Sequence, residues 1–208
     1  MFDYIRDPDE IYRRSFATLR AETNFSTLPT GVEILVERMI HACGMPDIVD
    51  DFAFGANPAS AGRDALRAGA PIIVDAQMVA AGIIKSRLPN DNALICTTHS
   101  PKALMTAQEN RTTRSAAGVE QWKPYLSGAV VVIGNAPTAL FRLLELLAEG
   151  VESPAVILGF PVGFIGAAES KEALIRNAGL VPYATIRGRR GGSAIASAAI
   201  NAISGLAL

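Results

Sequence analysis

The second half of the chain repeats one pattern three times: a short apolar stretch, a glycine-rich loop and a helical segment. The apolar stretches at 129–133, 154–158 and 181–186 are predicted strands, because they are short runs of largely aliphatic residues. Consecutive strands joined through helices pair in parallel with right-handed crossovers. Two further strands are predicted earlier, at 71–75 and 94–97. The sequence therefore predicts a Rossmann-like, three-layer α/β fold, with a mostly parallel sheet of about five strands and helices on both faces.

Length and composition favour one domain over residues 1–208. Half of the residues are hydrophobic, so the chain can bury a sizeable core, and the net charge of −1 argues against broad nucleic-acid binding. The N-terminus lacks a basic region followed by an apolar run, so no signal peptide is predicted and we expect a cytoplasmic protein. Residues 191–208 are uncharged, but they are mainly Ala, Ser and Gly, and we expect a closely packed buried helix there rather than a membrane span.

Several common kinds of catalytic site are not predicted. The two cysteines, Cys43 and Cys96, lack CxxC spacing and the two histidines are far apart, so we expect neither a disulfide framework nor a metal site. A serine hydrolase would need a nucleophile elbow such as G-x-S-x-G, which is absent. We interpret Cys43 as a packed thiol and His99 as a surface residue.

One segment at a predicted helix end carries the best candidate for acid–base chemistry. The helix is predicted to begin near Gly31 and to end at Gly44, because glycine enters the left-handed region without steric cost. His41 then lies in the last turn, where unpaired carbonyl groups favour the imidazolium form. Arg38 lies on the same face, and the pair suits an anionic substrate that gains or loses a proton. From this segment alone, a surface histidine placed for the helix dipole is the alternative interpretation.

Each predicted strand of the second half leads through a glycine-rich loop to a helix N-terminus. Ligands bind at this edge of open α/β sheets, and helix N-termini offer unpaired N–H groups to anions. The last loop adds Arg187, Arg189 and Arg190, and Ser193 is the predicted N-cap. No loop has G-x-G-x-x-G or P-loop spacing, which counts against a nucleotide or sugar-phosphate enzyme. The expected ligand is a small molecule with carboxylates or phosphates, although tight strand-to-helix turns alone would also explain the glycines of any one loop.

Segments along almost the whole chain resemble the precorrin-8X methylmutase family. They are YIRD and IYRRSF in 4–16, RMIHACG at 38–44, NRTTRSAA at 110–117, IGNAPTAL at 133–140, GFPVGFIGAAESK at 159–171 and RGRRGGS at 187–193. The segment at 110–117 differs from the family's Asn-x-Thr-Arg-Ser-Ala-Ala pattern by one residue of spacing. The resemblance implies an isomerase of cobalamin biosynthesis without an organic cofactor. The reaction would move a methyl group from C-11 to C-12 of precorrin-8X, or of its cobalt counterpart, to give hydrogenobyrinate or cobyrinate.

The same resemblance implies roles for individual residues. The family's proton donor or acceptor falls on His41, and Ser15 and Arg114 match positions near the substrate. Ser15 is expected to hydrogen-bond the ring or a side arm, and Arg114 to hold a carboxylate of this polycarboxylate macrocycle. Further substrate contacts are expected from Arg38, Asn135, Gly163, Arg187 and Arg189. The family's dimers, with sites near the subunit boundary, imply a homodimer. A corrinoid carrier without catalytic activity is the alternative from a different class.

Overall fold

Residues 2–205 are described by a computed structural model, in which they form one sheet covered by helices on both faces. The strands are β1 (Phe52–Gly55), β2 (Ile72–Val74), β3 (Leu94–Cys96), β4 (Val130–Ile133), β5 (Val156–Gly159) and β6 (Tyr183–Ile186). The helices are α1 (Pro8–Glu22), α2 (Val32–Cys43), α3 (Pro58–Arg67), α4 (Gln77–Gly82), α5 (Pro101–Glu109), α6 (Arg114–Val119), α7 (Pro137–Ala148), α8 (Ala167–Asn177) and α9 (Ser193–Ile203). Short 3₁₀ turns lie at Pro46–Val49, Lys85–Arg87 and Glu120–Tyr125.

The strand order across the sheet is β1-β6-β5-β4-β2-β3, and all pairs are parallel except β1 with β6. The predicted α/β fold with a mostly parallel sheet is confirmed, but the described residues form six strands rather than about five. The unpredicted strand is β1, which pairs antiparallel at the sheet edge. Its four residues are all half-buried and show no alternation, so the sequence carries no periodic signal for it.

Alternate residues of the central strands point to opposite faces and divide the core into two halves. Val130 and Val132 pack on one face with residues of α2, α3, α4 and α9. Val131 and Ile133 pack on the other face with residues of α6, α7 and α8. The central strands are therefore buried on both sides, as their continuous apolar runs predict.

The uncharged C-terminal segment forms the buried helix α9, which contacts β4 and β5 on one side and α2 on the other. Its many Ala and Ser residues allow this close packing. Helix α2 packs on α9, so α9 supports the C-terminal end of α2 above the sheet. The predicted N-cap Ser193 is wrong: Gly192 is the cap, and Ser193 is the first helical residue. The reason is the tight turn before α9, where a Cβ on Gly191 would lie 2.4 Å from two backbone oxygens. Residues 206–208 of the predicted helix lie outside the described residues.

Helix α2 ends as predicted. Gly44 has a φ of 67°, and its N–H group donates to the carbonyl of Ile40 at 2.7 Å. This left-handed cap fixes where the chain leaves the helix, three residues after His41. Between residues 2 and 205, none of the helices has both the length and the apolar character that crossing a bilayer requires.

Candidate functional site

The strand order reverses between β2 and β4, because the chain continues from β2 outward to β3 but from β4 to β5 and β6 on the other side. Open α/β sheets usually bind ligands in the crevice at the carboxyl end of such a switch point. Here the crevice contains the side chain of Asp75, the residue after β2, which is only 1% exposed.

Both carboxyl oxygens of Asp75 accept hydrogen bonds from the loop after β4. Oδ1 accepts from the N–H of Gly134 at 2.8 Å, and Oδ2 accepts from Asn135 at 3.0 Å and Ala136 at 2.7 Å. Burial raises the pKa of Asp75, while the three N–H donors act in the opposite direction. Consecutive N–H groups before a helix are a common anion site. In this protein an internal carboxyl group fills that site, so it fixes the backbone of Asn135 and leaves no place there for a phosphate.

Hydrogen bonds continue from this loop along the carboxyl edge of the sheet. The N–H of Val162 donates to the carbonyl of Asn135 at 3.3 Å, and the N–H of Gly163 donates to the carbonyl of Arg189 at 3.3 Å. The N–H of Gly192 donates to the carbonyl of Phe160 at 2.9 Å. We call these three connected loops, residues 134–136, 160–166 and 187–192, the loop rim. The structure thus brings the predicted residues Asn135, Gly163, Arg187 and Arg189 together on one edge.

The arginines of the loop rim differ in how far they are already paired. Arg187 forms an ion pair with Glu172 on α8. Arg190 forms ion pairs with Asp47 and Asp51. Arg189 has no acidic partner within the described part of the chain, and its guanidinium carbon lies 5.4 Å from the centre of the Phe164 ring. Arg189 is therefore the rim arginine most available to an external carboxylate.

Arg114 is the first residue of α6 and is exposed. Its Nη1 lies 3.4 Å from Nδ1 of His99, which is also exposed, in the loop after β3. Sequence reasoning placed His99 on the surface but did not connect it with Arg114, because the two residues are separated along the chain. Their proximity adds a second basic group beside a predicted carboxylate ligand.

His41 lies exposed in the last turn of α2, supported by aromatic residues of α1. Its ring stacks on buried Phe16 with a centroid distance of 4.7 Å and an interplanar angle of 23°, and the Tyr12 ring is 6.2 Å away. The Arg38 guanidinium carbon lies 5.4 Å from the centre of the Tyr12 ring and 5.0 Å from that of Phe16. Stacking on Phe16 holds the imidazole in place, and the faces of the two aromatic rings attract the Arg38 cation. The sequence assigned the site residues Ser15 and His41 but gave no role to the aromatic residues Tyr12 and Phe16.

A cleft of about 430 Å³ opens beside His41, between α1 and the end of α2. Ser15 and His41 both line it, together with Ile5, Ile11, Arg14, Thr18, Leu19, Glu22, Ile40, Gly44 and Pro46. No residue of the loop rim lines it, and Arg114 does not either. The ion pair from Arg190 reaches Asp47, the residue after Pro46, so the cleft and the loop rim are neighbours.

The predicted site residues therefore form two groups in one copy of the chain. The first group comprises Ser15 and His41, which line the cleft, and Arg38, which does not line it but lies on the Phe16 ring that His41 stacks against. The second group comprises Arg114, Asn135, Gly163, Arg187 and Arg189 at the carboxyl edge of the sheet. A larger cavity of about 1040 Å³ contains none of them. It lies between α7 and α8, near the amino ends of β5 and β6, and its lining includes one arginine, Arg176, beside Glu145, but no histidine.

Cys43 is half-buried, its thiol donates to the carbonyl of Ile40 at 3.7 Å, and burial raises its pKa. A thiol with a raised pKa is a poor nucleophile at neutral pH, which agrees with a packing role.

Within residues 2–205, no group of three or more His, Cys, Asp or Glu side chains is arranged to hold a metal ion.

Comparison with known proteins points to a single family. A family model described as precorrin-8X methylmutase matches residues 10–206. A precorrin-8X methylmutase of Pseudomonas aeruginosa is 57% identical over 203 residues, with 98% of each chain covered. A cobalt-precorrin-8 methylmutase of Priestia megaterium is 35% identical, with 96% of this chain and 88% of the relative covered. A solved structure of a precorrin-8X methyl mutase from Thermus thermophilus has a TM-score of 0.81 at 35% identity, with 93% of this chain and 95% of that chain covered.

Replacing Asp75 by asparagine tests the internal anion site. Asparagine keeps one acceptor oxygen and turns an NH₂ group toward the remaining N–H donors, so at least one buried donor loses its partner. The free energy of unfolding, measured by urea titration, should fall by about 1–3 kcal/mol. Asp50→Asn makes the same chemical change at an exposed position and should stay within about 0.5 kcal/mol of the parent protein. Equal stability of the two variants would contradict the assignment.

Proposed function

The chain belongs to the precorrin-8X methylmutase family of isomerases in cobalamin biosynthesis, and we propose that it moves a methyl group from C-11 to C-12 of the corrin macrocycle with His41 as the acid–base residue. The observation that carries the proposal is the cleft that His41 and Ser15 both line, with the Arg38 cation on the Phe16 ring against which His41 stacks. A proton donor and a hydroxyl group at one opening, with a cation on a shared aromatic ring, suit a macrocycle with carboxylate arms.

In the proposed reaction, His41 donates a proton to the bound macrocycle and makes the ring more electron-poor. The bond between the methyl carbon and C-11 then breaks as the bond to C-12 forms, formally a [1,5] shift. The proton returns to His41, so substrate and product have the same atoms, as an isomerase requires. A positioned acid of this kind contributes on the order of 10²- to 10⁴-fold in rate. Stacking on the Phe16 side chain holds the imidazole of His41, and the exposed edge of the imidazole faces the macrocycle.

Arginines without internal acidic partners are the proposed carboxylate ligands. Among the described residues, Arg38, Arg114 and Arg189 form no ion pair with an Asp or Glu. Each charge-assisted bond to a carboxylate is worth about 1.5–3 kcal/mol. Arg187 can contribute only by sharing or leaving Glu172. Asn135 and Gly163 add a polar side chain and an open backbone at the same edge.

We propose metal-free precorrin-8X as the natural substrate and hydrogenobyrinate as the product. The support is the difference in identity between the two kinds of relative. The chain is 57% identical to a protein named precorrin-8X methylmutase and 35% identical to one named cobalt-precorrin-8 methylmutase.

A second copy of the chain is proposed to complete the site. A cleft of about 430 Å³ covers only part of a macrocycle of this size, since small-molecule sites usually bury most of their ligand. The loop rim also exposes two large apolar side chains, Phe164 at 83% and Ile165 at 91%, which a partner would cover. We therefore propose a homodimer of a single domain spanning the whole chain, acting in the cytoplasm.

His41→Ala should lower the turnover of precorrin-8X by about 10² to 10⁴-fold, because the proton donor is lost. Titration with hydrogenobyrinate, followed by absorbance, should give an affinity within a few-fold of the parent protein. Cys43→Ala, two residues further along the chain, is the matched control and should keep normal turnover. Near-normal turnover in His41→Ala would remove His41 from the mechanism and leave the family assignment intact.

Arg114→Ala should weaken hydrogenobyrinate binding by about 10- to 100-fold, the effect of losing one charge-assisted hydrogen bond. The dissociation constant from absorbance titration is the measurement. Arg111→Ala removes an exposed arginine of the same segment and should bind normally. If affinity falls in Arg111→Ala but not in Arg114→Ala, then Arg111 holds the carboxylate, and the assignment of Arg114 is contradicted.

Mixing the His41→Ala and Arg114→Ala proteins tests the shared site. If His41 of one copy works with Arg114 of the other, each mixed dimer has one intact site, and the mixture should be more active than either variant at low substrate concentration. Native mass spectrometry establishes that mixed dimers have formed. No gain of activity in such a mixture would contradict a site that spans two copies, and a monomeric active protein would contradict the homodimer.

A further inference from the structure

Lys171, on α8, is a fully buried lysine without an acidic partner. Its exposed fraction is 0%, and its Nζ donates to the backbone carbonyl of Arg190 at 2.6 Å. In the part of the chain that the structure describes, no Asp or Glu oxygen lies within 4.0 Å of Nζ. Lysines are rarely fully buried unless they are paired, so this placement requires a reason.

The carbonyl that Lys171 contacts belongs to the arginine-bearing loop of the rim. The side chain of the same residue, Arg190, is held by Asp47 and Asp51. On one side Arg189 accepts a hydrogen bond from the N–H of Gly163, and on the other Gly191 packs against the backbone of the preceding rim loop. Lys171 therefore adds a buried side-chain contact to the backbone hydrogen bonds that hold this loop.

Stability alone does not explain this lysine. Burial lowers the pKa of Lys171 from 10.5 to about 8, the positive charge of Arg190 acts in the same direction, and Asp51 acts against both. The folded state therefore binds fewer protons than the unfolded state between about pH 8 and 10.5, and stability is expected to rise with pH across this range. Below pH 8 the protonated lysine costs stability that an apolar side chain of similar length would not.

We propose that Lys171 is a positioning residue of the isomerase, whose ammonium group fixes the Arg190 carbonyl and so presents Arg187 and Arg189 to the substrate. This proposal rests on the proposed function, because it takes the loop arginines as ligands of the corrinoid carboxylates. Lys171 itself lies too deep to touch the substrate.

Lys171→Met removes the donor and the charge while keeping the side-chain length. The melting temperature at pH 7 should stay equal or rise, whereas KM for precorrin-8X should increase about tenfold with kcat little changed. Lys171→Gln retains an N–H donor without the charge and should recover part of the affinity. A lysine that served only to stabilise the fold would instead show a lower melting temperature and normal KM, and that result would overturn the proposal.

The pH dependence of binding is a second readout. Hydrogenobyrinate affinity of the parent protein should decline as pH rises through about 8, while Lys171→Met should lack this step. The charged groups around Lys171 are Asp51 before β1, Arg190 after β6, Asp47, which forms an ion pair with Arg190, and Glu172 on the same helix as Lys171. They and the ligand carboxylates are present in both proteins, so the comparison isolates Lys171. Identical pH profiles would overturn the proposal.

Amide hydrogen exchange of residues 187–192 separates failure of this proposal from failure of the proposed function. Exchange in this loop should be faster in Lys171→Met than in Arg176→Met, a control that removes a positive charge from an exposed position on the same helix. If the parent protein neither binds nor converts the corrinoid, the proposed function fails, and this exchange measurement still decides the role of Lys171. Unchanged exchange in Lys171→Met would overturn it.

Discussion

The hydrogen bonds from three successive N–H groups to Asp75 determine where this protein can place a ligand. In most open α/β sheets the helix N-terminus at the switch point is an anion site, and here a buried carboxyl group already occupies it. Under the proposed function, the substrate therefore lies above the loops, at the cleft beside the end of α2. The occupied anion site also agrees with the lack of a nucleotide-binding pattern in the sequence.

The charges in this fold separate into structural and available groups. Asp75 and Lys171 are buried and bind backbone atoms, so they fix the loop rim from below. Arg38, Arg114 and Arg189 have no internal carboxylate among the described residues and face outward or rest on aromatic rings. A polyanion can therefore bind without first breaking ion pairs at these three positions. Arg187 is the exception, because Glu172 competes for it.

Much of the architecture could be predicted from the sequence. The repeated apolar runs and glycine-rich loops indicate the parallel sheet, and Gly44 marks the end of α2 because only glycine adopts its backbone conformation easily. Strand β1 could not be predicted, since its four residues depend on pairing with β6. The Ser193 cap prediction failed because close backbone packing around Gly191 governs that turn.

Side-chain contacts between distant segments were the least predictable part of the site. The stacking of His41 on Phe16 joins two helices, and the proximity of His99 to Arg114 joins the loop after β3 to the start of α6. The sequence indicates only that Asp75 is an acidic residue at the end of a strand and that Lys171 is a charged residue on a helix. Their roles arise from the order of the strands, which local sequence patterns do not encode.

A crystal structure with bound hydrogenobyrinate is the most direct test of the central claim, that His41 exchanges a proton with the macrocycle. A ring nitrogen of His41 is expected within about 3.5 Å of the corrin ring, near C-11 and C-12, with the ring arms on Arg38, Arg114 and Arg189. A corrinoid bound in the large cavity between α7 and α8, with the His41 ring in bulk solvent, would contradict it.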